Sequence, residues 1–286
     1  HRLLPVLLLI QLVAVVLGLN LWYLRQQTLA TGHASARAHV VAVKEQFVRT
    51  LFVVRHTLDD AITLLGRHTL PAQRTLVEAG LRQAIRNAPD VDGLFLIGPD
   101  GHILADTNAT AEDVRLNDRA FFLAHQIPDS PSLYLDAPVV SRRTGHWQLT
   151  LSSPIRDAEG KLLAIAAVTL NPERLVQGWE RMDLNRDDRV SLMRNDGTVL
   201  ARSPFDARQM GVSFAHAPLF RDPQMQASQG TFRRDGMTDG SARLYAFERF
   251  HDDSVNLVFL VGISEDVLLA SWWNVARLSL FATILL

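Results

Sequence analysis

The sequence predicts an α+β fold: a long N-terminal spine helix followed by two tandem lobes, each built on an antiparallel sheet, with apolar helices at both ends. Three observations carry this expectation. An uncharged apolar run, Leu3 to Leu24, leads into a long stretch with helical periodicity. Two Asp-Gly hairpins stand about 95 residues apart, and each is followed by strand-like runs and then a capped helix. The whole follows one supersecondary plan written twice, the pattern of two small modules in tandem.

The first run is long enough to cross a hydrocarbon core of roughly 30 Å at about 1.5 Å per residue, and it exceeds the apolar core of a signal peptide. A transmembrane helix is therefore expected over residues 3–24. Beyond it, apolar residues fall at Val40, Val43, Phe47, Leu51, Val54, Leu58, Ile62 and Leu65, in steps of three and four. That repeat keeps one stripe on one side of a nearly straight helix. Such a helix can lie along a domain as its spine, pair with a twin in a dimer, or do both. Thr69 and Pro71 are expected to end it, and 72–88 reads as a second helix begun by a proline in its first turn.

Val91 to Ile97 and His102 to Asp106 flank Gly98-Pro99-Asp100-Gly101, a hairpin signature. Arg189 to Met193 and Thr198 to Arg202 flank Asn195-Asp196-Gly197 in the same way. Between the hairpins, a helix-like segment at 117–126 precedes strand-like runs at 132–141, 147–155 and 162–170, joined by glycine-containing polar links. In the first two runs polar residues alternate with apolar ones: Tyr134 and Asp136, then Gln148, Thr150 and Ser152. One face of this meander therefore either lines a polar pocket or faces water. Asn171-Pro172-Glu173 and Ser264-Glu265-Asp266 then read as helix starts, with capping side chains and acids at the positive helix end.

Read this way, the chain divides into a transmembrane helix (3–24), the spine and second helix (25–90), a membrane-distal lobe (91–171), a connecting helix (172–187), a membrane-proximal lobe (188–264) and a helix entering a second span (265–286). Ser271, Trp272 and Trp273 mark a headgroup boundary before that span, which reaches Leu286 after about half the length a crossing needs. A continuation with an output module is expected beyond it.

Composition narrows the chemistry. The 286 residues are 48% hydrophobic with a net charge of −1, which gives no nucleic-acid footprint. Cysteine is absent, and Lys44 and Lys161 are the sole lysines, so arginine carries the positive charge. There is no phosphate loop, Gly-x-Ser-x-Gly or His-Glu-x-x-His, and no paired-histidine spacing. No catalytic residue, metal site or cofactor is expected. Arg233-Arg234 and Tyr245 to Phe250 in the second lobe alternate like an ordinary strand and are assigned to transmission, without a pocket.

Three stretches resemble the double Cache (tandem PAS-like) extracytoplasmic sensor domains of bacterial receptors. They are Asn117-Asp118-Arg119-Ala120-Phe121-Phe122 with His125, Pro138 to Trp147, and Ala166 to Pro172. The resemblance is closest to the sensor regions of diguanylate cyclases and histidine kinases. In the amino-acid-binding branch the distal lobe presents an arginine followed by Trp-Tyr, a tyrosine and aspartate two apart, and an aspartate ending the last strand. Here Arg119, Tyr134 and Asp136 keep that pattern, whereas Phe121 and Phe122 replace Trp-Tyr and Thr169 stands where the terminal aspartate is expected. Loss of that carboxylate points away from α-amino acids and towards a carboxylate or other small anion.

The resemblance thus implies a ligand site of Arg119, Phe121, Phe122, Tyr134, Asp136, Trp147, Thr150 and Thr169. It also implies a homodimer in the bacterial inner membrane, sensing in the periplasm and driving a cytosolic output, foremost a diguanylate cyclase. Histidine kinase or chemoreceptor output is the variant, and a membrane-anchored protein-interaction module with a vestigial pocket is the rival.

Overall fold

The computed structural model describes residues 3–67, 72–86, 88–108, 114–142, 144–182, 184–236 and 238–285. Thr69, Pro71 and Arg143 lie outside them. Helix α1 (Leu3–Arg67) is unbroken over 65 residues. Its stripe of Val40, Val43, Phe47, Leu51, Val54 and Leu58 is buried, with Ala36 and Ala61 extending it, while Ile62 and Leu65 pack partly buried at its end. The stripe is consumed by this chain's own sheets, so it is a spine and leaves the opposite side of α1 to solvent, where Phe52 is 71% exposed. Helix α2 (Arg74–Ala84) is shorter than expected because its end tightens: Arg86 and Ala88 donate to carbonyls three residues back instead of four.

The first sheet contains β1 (Val91–Ile97), β2 (Ile103–Asp106), β3 (Tyr134–Leu135), β4 (Val139–Val140), β5 (Trp147–Arg156) and β6 (Leu162–Leu170), ordered β2-β1-β6-β5-β3 with β4 also on β5. The run expected at 132–141 is two short strands, since Asp136-Ala137-Pro138 breaks it and proline cannot donate to a ladder. Helix α3 (Ala120–Ala124) lies against the outer face. The second sheet contains β7 (Arg189–Arg194), β8 (Val199–Ser203), β9 (Gln229–Asp235), β10 (Ala242–His251) and β11 (Asn256–Ser264), ordered β8-β7-β11-β10-β9. Short helix α5 (Pro218–Arg221) covers its outer face, and α4 (Pro172–Trp179) joins the lobes.

The two sheets are one plan. In each, an Asp-Gly turn places glycine at positive φ, 85° at Gly101 and 84° at Gly197. The next loop presses on each turn: a Cβ at Gly101 would meet Asn117 Cβ at 2.6 Å, and one at Gly197 would meet the Ala215 nitrogen at 2.5 Å. That loop is pinned by Leu116 N to Gly101 O at 3.0 Å in one lobe and Phe214 N to Gly197 O at 2.9 Å in the other. Only glycine satisfies both the backbone angle and the close approach.

A single apolar core joins both sheets to the spine. It runs from Leu94, Leu149 and Leu151 through Trp179 to Leu192, Phe259 and Val261, with Phe47 and Phe259 in tilted ring contact at 6.0 Å. Helix α4 is capped as its sequence requires, Asn171 Oδ1 accepting from Glu173 N at 2.8 Å with Pro172 in the first turn. Helix α6 (Glu265–Leu285) starts on the residue after β11, with Glu265 and Asp266 in its first turn. It packs beside α1, where Trp272 Nε1 donates to Leu21 O at 2.8 Å and Glu265 faces Arg25 and Arg233.

Among the described residues no helix is long and apolar enough to cross a membrane. The side chains of 3–7, 9 and 10 in α1 and of 284–285 in α6 lie outside that description.

Candidate functional site

Alternation sorts the strand residues of the first sheet. Leu149, Leu151, Ala166 and Val168 face the spine, while Phe95, Ile97, Ile165 and Ala167 face outwards beneath α3 with Phe121 and Phe122. The polar residues singled out in the sequence share this outer face. Thr150 and Thr169 are register partners on β5 and β6, and Tyr134 is opposite Ser152. Thr150, Thr169, Ser152 and Asp136 are all buried. The face is covered and polar, so the solvent alternative does not hold.

Each polar group has a local reason for its position. Asp136, 3% exposed, accepts from the Ala137 backbone N at 2.8 Å and from Phe121 N, in the first turn of α3, at 3.3 Å. Burial pushes its carboxyl up, opposed by these donors and by the charges of Arg194 and Arg119. Thr169 Oγ1 donates to Gly93 O at 3.4 Å, and Thr150 Oγ1 accepts from Gln148 Nε2 at 3.3 Å. Phe121 and Phe122 are buried in the outer cluster, with Phe121 edge-on to Phe95 at 6.5 Å.

Arg119 is the exception to this saturation. It sits at the N-cap of α3, half-buried, and among the described residues its guanidinium makes no hydrogen bond or ion pair. Its two candidate counter-ions are engaged elsewhere. Arg142 holds Asp118 through two bonds of 2.5 and 2.9 Å, which with Arg142's charge draws the Asp118 carboxyl below its usual range. Asp136 is taken by backbone N–H groups. Burial, then the Arg142 charge, pull the Arg119 guanidinium down from its ordinary value, against the charges of Asp118 and Asp136. A partly desolvated cation with no direct carboxylate partner is costly unless an anion meets it.

Trp147 falls outside this group. It packs on the outer cluster of the second sheet with Met193, Met210 and Phe247, so it joins the lobes. Two further residues belong to the site and were not read from sequence. His125, fully buried, bonds Ser152 Oγ through Nε2 at 2.9 Å and stacks edge-on against Tyr134 at 6.3 Å, while its Nδ1 has no partner among the described residues. Burial holds its pKa down to about 4. Arg194, from the second lobe, lines one cleft with Tyr134, and its charge acts on Tyr134 and Asp136 while it pairs with Asp196 at 2.6 Å. His125 stood in a resembling stretch, but Arg194 lies 60 residues from Tyr134 and has no local signal.

Comparison with known proteins agrees with this architecture. Residues 173–261 match the family model described as dCache_1_like, histidine kinase sensor domain. No curated protein matches. Among solved structures, the extracellular domain of rpHK1S-Z16, described as a histidine kinase, is 23% identical with a TM-score of 0.74, covering 85% of this chain and 99% of that one. The ligand-binding domain of the amino-acid chemoreceptor PctB of Pseudomonas aeruginosa, solved with L-Arg, is 17% identical with a TM-score of 0.61, covering 82% and 94%. The periplasmic sensory domain of Campylobacter jejuni Tlp1 is 9% identical with a TM-score of 0.63, covering 84% and 95%. The fold is that of these receptor sensor domains, two sheet lobes strung on one long helix.

Proposed function

We propose that this chain is the ligand-sensing region of a bacterial transmembrane receptor, and that its first lobe takes a small carboxylate or other small anion at Arg119. One observation carries the reading: among the described residues the guanidinium hydrogen-bonds neither neighbouring carboxylate, Asp118 being held by Arg142 and Asp136 by backbone N–H groups. A planar fork of donors suits a carboxylate, and Tyr134, Thr150 and Thr169 offer hydroxyls on the same face. The amino-acid ligands of PctB are less favoured here because Thr169 supplies no charge for an ammonium group.

Calorimetry on the full chain with lactate, malate and succinate tests this. Binding by the wild type and a loss of tenfold or more in Arg119→Ala is the expected result. Equal affinity in the two proteins would remove Arg119 from the site.

The membrane reading rests on the exposed apolar side chains at the paired helix ends. Leu12, Leu19 and Trp22 of α1 and Leu278, Leu280 and Phe281 of α6 are each at least 60% exposed. Such side chains belong in lipid, with the lobes in the periplasm and the output in the cytosol. The descriptions of the matching family model and of rpHK1S-Z16 support a histidine kinase output ahead of the diguanylate cyclase expected from sequence. A phospho-acceptor histidine helix encoded beyond Leu286 would bear this out, and Gly-Gly-Asp-Glu-Phe would favour the cyclase.

Homodimerisation is proposed through the side of α1 turned away from the sheets, centred on Phe52. Phe52→Glu should shift the chain towards monomer in light scattering.

A further inference from the structure

The second lobe carries a cavity of its own, and we propose that it is a second binding site, for a short-chain carboxylate of two to four carbons. The cavity, about 90 Å³, lies between the outer face of the second sheet and α5. That is space for the centres of several waters, or for an acid of a few heavy atoms. Its walls are apolar, formed by Met193, Val199, Leu219, Phe232 and Leu260. Phe232 stacks on Tyr245 at 5.0 Å, closing one side.

At one end stands Arg202, whose hydrogen bond among the described residues is to the Thr238 hydroxyl at 3.0 Å. Among the described residues it makes no ion pair with a carboxylate. The nearby acid, Asp239, gives both oxygens to Arg243 at 2.7 Å each, and the remaining reach of Oδ2 goes to Arg189 at 3.3 Å. Arg202 is therefore the arginine in this cluster left over after neutralisation. Burial, then the Arg189 charge, pull its guanidinium down, against the charges of Tyr245 and Asp239. Ser191, its register partner across β7 and β8, presents a hydroxyl at the same end. A charged fork at one end and dry walls beyond it match an acid with a short hydrocarbon tail.

The roof is built to stay in place. Arg249, nine-tenths buried, donates through Nη2 to the carbonyls of Leu219 at 2.6 Å and Met225 at 3.2 Å, and through Nη1 to Asn195 Oδ1 at 2.9 Å. Its guanidinium lies 6.0 and 5.8 Å from the ring centres of Phe220 and Phe247. Arg249 positions the roof and does not line the cavity. Arg234 and Asp235, both exposed, mark the mouth.

The test is titration calorimetry of the full chain in detergent with sodium propionate and sodium butyrate. Saturable binding is expected, weakened about tenfold to a hundredfold by Arg202→Gln, since a hydrogen bond to a charged group is lost. Leu219→Trp fills the cavity without touching a charge and should also abolish binding, with a folded protein verified by circular dichroism. In an Arg119→Ala background, which removes the first-lobe site, propionate should still bind and Arg202→Gln should still weaken it about tenfold to a hundredfold. No heat from either acid up to about 10 mM overturns the proposal, as does wild-type affinity in Arg202→Gln or in folded Leu219→Trp. Loss of propionate binding in Arg119→Ala would place the acid in the first lobe and equally overturn it.

Discussion

Laid over each other by strand register, the two lobes agree in backbone and disagree in chemistry. Phe95 pairs with Asp106 across β1 and β2, and at the same place Ser191 pairs with Arg202 across β7 and β8. A buried acid in one lobe is an arginine in the other. The positions of Thr150 and Ser152 on β5 correspond to Tyr245 and Phe247 on β10, and that of Arg119 before α3 to Ala217 before α5. The first lobe therefore sets its unpaired cation on the covering helix over a polar sheet. The second sets its own on the sheet, at the end of an aromatic floor. Backbone hydrogen bonds and apolar inner faces determine the scaffold, so outer-face residues can change independently in each copy.

The strongest challenge to this comparison is the core beneath it. Trp179 is 1% exposed, in the apolar cluster that joins both sheets to α1. Trp179→Ala should cost about 3–5 kcal/mol, and urea unfolding should still show one transition reporting both lobes. Two separated transitions would mean that the lobes are independent modules.

A smaller effect tests the shared turn. Gly101→Ala and Gly197→Ala each add a Cβ against the next loop at positive φ, and each should cost about 1–3 kcal/mol. The two should be equal within about 1 kcal/mol; a mutant near wild type would show that its lobe does not need the pinned loop.

The smallest expected effect separates the lobes by acid. The unfolded histidine takes a proton below about pH 6.5, whereas folded His125 stays neutral down to about 4. The unfolded state thus binds more protons in that window, and stability falls as pH drops from 6.5 towards 4. Hydrogen exchange should show the first lobe loosening before the second, since His125 is the one buried histidine among the described residues. His125→Gln should flatten the slope, by a few degrees of Tm at about pH 4.5.

Much of the scaffold was legible because its signals are local. Apolar runs bounded by turn residues located β1 and β6 to the residue, Asp-Gly turns located both hairpins, and Asn171-Pro172-Glu173 marked the start of α4. Alternation placed Tyr134, Asp136 and Thr150 on one face. It could not say which carboxylate Arg119 would find, because the competitor Arg142 lies 23 residues on in a different loop. The second cavity escaped for a related reason. Arg243, Tyr245, Phe247 and Arg249 do alternate as a strand should, and whether their face is open or roofed depends on α5, more than twenty residues earlier. Trp147 read as a pocket wall, yet its partners lie on another sheet.

The passage from Ser264 to Glu265 has no spare residue between strand and helix. Helix α6 is 21 residues long, so it extends about 32 Å at about 1.5 Å per residue. A lean of about 5° at that joint would sweep its tip through about 3 Å. With no slack to absorb it, a displacement of β11 too small to disturb the sheet's ladder becomes a stroke at the far end.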